Sequence, residues 1–61
     1  MISVTIGFRD EQQATDMAQF LKRCGWQEYR ANAVNNDEAY GIKSACEVVQ
    51  KALAERGFDP R

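Results

Sequence analysis

The stretch from Asp37 to Arg56 reads as one long helix, and everything else in the chain has to be arranged around it. Ala39, Ile42, Cys46, Val49 and Leu53 recur at spacings of three and four, which puts them in a single apolar stripe. Asn36 precedes the run as an N-cap, and Asp37 and Glu38 place negative charge in the first turn. Gly57 can close the helix in the left-handed conformation, with Phe58 and Pro60 beyond it. At about 1.5 Å per residue such a helix is roughly 30 Å long, the width of a small domain. It is the spine against which shorter elements must pack.

Sixty-one residues allow one domain, residues 1–61. A chain this short buries only about 60 % of the surface its unfolded form exposes. Disulfides, a metal or a partner subunit commonly make up the difference. The sequence has no His, and Cys24 and Cys46 stand far apart without a C-x-x-C spacing, so no metal site and no cofactor are expected. Both cysteines fall on apolar helix faces and read as reduced core thiols, with a Cys24–Cys46 bridge as the alternative. No apolar run reaches the roughly 18 residues of a membrane span, and Met1-Ile2-Ser3 does not open like a signal peptide. A cytoplasmic protein with no membrane partner is expected. Eight basic and nine acidic residues give a net charge of −1, too balanced to select a class of partner.

At the N-terminus Ile2, Val4, Ile6 and Phe8 alternate with Ser3, Thr5, Gly7 and Arg9, the period of a strand with one buried face. It is the only strand the pattern offers. A lone strand leaves its backbone groups without a ladder, so these four residues are expected to form a dimerisation strand paired with a second copy in a homodimer.

Asp10 then caps a helix that should run to about Cys24, with Gln13 completing an approximate capping box. Ala14, Met17, Leu21 and Cys24 form its inward stripe, Ala18 and Phe20 flank it, and Gly25 ends it. Lys22 and Arg23 in the last turn complement the helix dipole. A short helix from about Gln27 to Ala33 follows, and Asn35 and Asn36 turn the chain into the spine. The fold class expected is α+β and mostly helical, in the order strand, helix, short helix, long helix.

The runs Asp10-Glu11-Gln12, Ala18-Gln19-Phe20-Leu21-Lys22-Arg23, Gly25-Trp26, Tyr29-Arg30, Glu38-Ala39-Tyr40 and Ala52-Leu53-Ala54-Glu55-Arg56-Gly57-Phe58 span most of the chain. Together they resemble a family of short phage-associated and bacterial domains of unknown function. The resemblance implies an accessory protein in a phage or prophage setting and carries over no catalytic residue.

Enzyme chemistry is poorly supplied. Without His, a nucleophile needs a Lys or carboxylate base, and no Ser or Cys has one at a spacing that a helix would bring together. Lys43 and Ser44 are adjacent and point to different parts of the helix surface. The four glycines are isolated and form no phosphate loop. The chain is therefore read as non-enzymatic.

A strand followed by helices is similar to the ribbon-helix-helix repressors, whose paired strands enter the major groove. Such a ribbon here would present Ser3, Thr5 and Gly7, with Arg9 only at its end, and this is thin for base readout and phosphate contact. Nucleic-acid binding as a transcriptional regulator is thus the alternative.

Protein binding is favoured because Trp26, Tyr29 and Arg30, residue types that dominate hot spots, occur together in the connecting segment. The partner-binding site expected is Trp26, Tyr29, Arg30 and Tyr40, with Trp26 plugging the core and supporting the face from beneath while Tyr29, Arg30 and Tyr40 lie on the surface. Tyr40, Ser44 and Val48 form a second file along the spine, suited to the homodimer or to a foreign partner. The function expected is that of a small protein-binding module, a phage or prophage accessory factor that binds and inhibits an unidentified host protein.

Overall fold

Local capping sets the boundaries of three helices. The structure, a computed structural model, describes residues 1–59. Helix α1 spans Glu11–Arg23, α2 spans Trp26–Ala31 and α3 spans Asn36–Glu55. Asp10, extended at φ −158°, accepts from the Gln13 N–H at 2.9 Å, and the Gln13 side chain accepts in turn from the Arg9 N–H at 2.7 Å. The reciprocal bond of the box thus lands one residue upstream of the cap. At the spine Asn35, not Asn36, is the cap: its side chain accepts from the Glu38 N–H at 2.9 Å, while Glu38 accepts from the Val34 N–H at 3.2 Å.

The far end of α3 closes as a Schellman motif. The Phe58 N–H donates to the Leu53 carbonyl at 2.9 Å and the Gly57 N–H to the Ala54 carbonyl at 3.0 Å. Gly57 sits at φ 94°, as its position in the sequence requires. The motif folds Phe58 back onto the core cluster that contains Leu53. Pro60, read above as part of the stop signal, lies outside the described residues.

The α+β expectation is overturned. Among the described residues there is no strand, and the regular secondary structure is three helices. Ile2, Val4, Ile6 and Phe8 lie in an N-terminal arm without regular secondary structure; Ile2, Val4 and Ile6 are exposed, and residues 2 to 8 make no backbone hydrogen bond to other described residues. Alternation can select an extended conformation, but a strand exists only when a second backbone supplies its ladder, and none of the described residues does so. Helix α1 stops at Arg23, with Cys24 as its C-cap, just before Gly25; Gly25 is extended at φ −123° and also caps α2, its N–H donating to Glu28 Oε2 at 2.9 Å.

Helix α3 packs against both α1 and α2. Ala14, Ala18, Leu21 and Leu53 make the buried cluster, with Phe8, Cys46, Val49 and Phe58 half-buried around it. The inward stripe of α1 is thus Ala14, Ala18 and Leu21, not the one through Met17, which is exposed. Two alanines four apart let the spine approach closely, and this rotates Met17 and Phe20 outward. Ala39 is fully buried on α3, and Ile42, Cys46 and Val49 are half-buried along the expected stripe. Lys43 and Glu47 form an exposed ion pair at 2.8 Å on the outer face.

Candidate functional site

The connecting segment and the start of the spine meet in an aromatic pair. Trp26 is the first residue of α2 and Tyr40 lies in the second turn of α3. Packing of α2 on α3 brings their ring centroids to 4.7 Å with planes tilted by 42°, within the range of favourable aromatic contact. Both remain accessible, Trp26 at 40 % and Tyr40 at 63 %. Arg30 follows Trp26 by one helical turn and shares its face of α2. The Arg30 guanidinium donates to the Ala33 carbonyl at 3.1 Å, which satisfies an acceptor beyond the end of α2 and holds the side chain at this face.

Tyr29 is not part of that exposed face. The expected order is reversed: Tyr29 is buried beneath the segment and Trp26 lies on the surface. Tyr29 falls on the side of α2 that meets α3, near Cys46 and Lys43 of the spine. Its hydroxyl donates to the Cys24 carbonyl at 3.4 Å. Burial pushes the Tyr29 hydroxyl above its ordinary pKa, with the Cys46 and Cys24 thiols adding to the shift. Burial likewise pushes the Cys24 thiol up, with Glu28 and Cys46 contributing. Cys24 and Cys46 are free and half-buried. The raised pKa of Cys24 leaves less of its thiolate at neutral pH.

A second surface feature was not singled out as a groove in the sequence. The arm and the C-terminal half of α3 enclose an apolar groove of about 950 Å³. Ile2, Val4 and Ile6 of the arm face Val48, Val49 and Ala52 of the spine across it, and Phe8 and Phe58 contribute to its lining. The arm's alternation and the exposure of Val48 were both legible signals for it. Of the file at spacing four, Tyr40, Ser44 and Val48 are all exposed, but Tyr40 pairs with Trp26 and Val48 lines the groove.

Among the described residues, no three or more His, Cys, Asp or Glu side chains are grouped so as to hold a metal ion. No helix among them is long and apolar enough to cross a membrane.

No curated protein and no solved structure matches the chain. A family model does, over residues 1–61, and the chain therefore belongs to a family of unknown function, DUF7706.

Proposed function

We propose that the chain is a non-catalytic protein-binding module, a phage or prophage accessory factor that works in the cytoplasm by binding and inhibiting a host protein. The observation that supports a binding surface is the Trp26–Tyr40 pair, two large aromatic rings in contact with each other and still accessible. Rigid aromatic area loses little entropy on binding, and Arg30 on the same face adds a directional donor. Tyr29 takes no direct part in this reading; it holds α2 in place from beneath.

The test is affinity capture from a host lysate with wild type and Tyr40→Ala side by side, beside a DNA titration at physiological salt. One stoichiometric host protein retained by the wild type and lost with Tyr40→Ala is the expected result. Salt-sensitive binding of operator DNA, with no protein lost on substitution, would assign the chain to the DNA-binding regulators instead.

A further inference from the structure

The single chain is too open for its size. Its accessible surface is 5180 Å² at 6.9 kDa, where a compact monomer of that mass exposes about 4000 Å², an excess of roughly 1200 Å². The radius of gyration agrees: 12.4 Å against about 10.5 Å for a compact chain of this length. The apolar core is correspondingly thin, and among the described residues no large side chain is fully buried. Exposed hydrophobics of the arm, Ile2 at 90 %, Val4 at 76 % and Ile6 at 62 %, stand with Val48 at 68 % around the groove between arm and spine.

We infer that a second copy of this chain covers that groove, in a twofold dimer whose shared core is made by Ile2, Val4, Ile6 and Val48 of both protomers. Three observations select a second copy over other occupants. A twofold contact that removed this excess would bury about 1200 Å² from each protomer, roughly 2400 Å² in all, the size of an obligate homodimer interface. The groove's lining carries both signs, Asp10 and Glu11 against Arg56, with Arg9 paired to Asp10 at 3.4 Å, and a surface of mixed charge can meet its own image without wholesale like-charge repulsion. Finally, a core this thin has to be completed as the chain folds, and its own copy is the partner present wherever the chain is made.

The groove lies apart from the Trp26–Tyr40 face. Val48 is eight positions along α3 from Tyr40, about 12 Å down the axis and some 80° around it. Dimerisation therefore leaves the aromatic pair free, and the two surfaces can be tested separately.

Sedimentation equilibrium at micromolar concentration reads the mass. The wild type is expected at about 14 kDa, twice the 6.9 kDa of one chain, with a melting temperature that rises with concentration. Val48→Lys and Ile6→Lys should each raise the dimer dissociation constant at least about tenfold, because each sets a charge in the shared apolar core. Tyr40→Ala should leave the constant unchanged. Val48 is exposed in the single chain, so Val48→Lys does not bury a charge there, and circular dichroism checks that its helices persist. A wild-type monomer with a concentration-independent melting temperature overturns the inference. So does a Val48→Lys dimer of wild-type affinity, or a monomer that co-sediments with phosphatidylcholine–phosphatidylserine vesicles, which would give the groove to a lipid surface.

Discussion

The Tyr29 hydroxyl donates to the Cys24 carbonyl at 3.4 Å, tying α2 to the end of α1 from the buried side of the connecting segment. That link has a pH signature. Burial raises the Tyr29 pKa above its ordinary 10.0, and that of Cys24 above 9.0, so in both cases the folded state holds its proton longer than the unfolded chain does. Where the unfolded state binds fewer protons, stability falls as pH rises. The contribution of these groups is fully present below their ordinary values and is lost as pH climbs through the raised ones. Urea unfolding should therefore show a plateau near neutrality and a decline on the alkaline side. Tyr29→Phe should make that decline shallower while costing about 0.5–1.5 kcal/mol at neutral pH for the lost hydrogen bond. An alkaline limb identical in the variant would show that other groups carry it.

Neighbouring residues on α1 should behave in opposite ways. Leu21 is in the buried cluster and Phe20, although larger, is 61 % exposed. Leu21→Ala should cost about 2–4 kcal/mol through the cavity it leaves against the spine, and Leu53→Ala a similar amount. Phe20→Ala should stay within about 0.5 kcal/mol. Val49 is only half-buried, so Val49→Ala should fall between these limits. Thermal melts of the four variants give the order directly, and a Phe20→Ala loss equal to that of Leu21→Ala would mean the helix faces are misassigned.

Two glycines of the spine predict opposite signs for one substitution. Gly57 at φ 94° ends α3 in the left-handed region, where a Cβ meets no neighbour but strains the backbone. Gly57→Ala should lower stability by about 1 kcal/mol, some 4–8 °C in Tm for a domain of this size. Gly41 lies inside α3, and a Cβ added there also meets nothing within 4 Å. Gly41→Ala should raise stability by up to about 1 kcal/mol, since Gly costs a helix interior about that much relative to Ala. Scanning calorimetry of the pair decides it.

The helix ends were legible because they are chemical events between near neighbours. Asp10 with Gln13, Asn35 with Glu38, and Gly57 each act within a few residues, and the errors there were one-residue offsets between adjacent asparagines. The stripe on α3 was legible for the same reason of period. What failed depended on partners distant in sequence. Alternation from Ile2 to Phe8 describes an extended backbone, yet a strand is a property of two backbones, and one chain's sequence does not supply the second. The inner face of α1 turned on how closely the spine approaches, which favours Ala18 over Met17. The exchange of Trp26 and Tyr29 depended on how α2 is turned against α3. The two rings stand about 60° apart around the helix, so the rotation of α2 on the spine decides which of them is buried, and the period of α2 alone does not set that rotation.

That rotation also determines how the binding face should respond to substitution. Trp26 and Tyr40 touch each other at 4.7 Å and share their exposed edge, so each shields part of the other. Tyr40→Ala should weaken binding to the captured protein by more than about 1 kcal/mol with a Tm change of only a few degrees, because most of its surface is already in water. Trp26→Ala should reduce binding by at least as much and lower Tm further, since it is the more buried of the two rings and opens the α2–α3 contact. Removing both should cost less than the sum of the single losses, because a ring whose neighbour is gone no longer holds its orientation. Arg30→Ala should reduce binding and loosen the end of α2 by freeing the Ala33 carbonyl. Calorimetric titration of the four variants, alongside their melts, separates the effects. Wild-type affinity in Trp26→Ala and Tyr40→Ala alike would remove the aromatic pair as the binding site, whatever the oligomeric state of the chain.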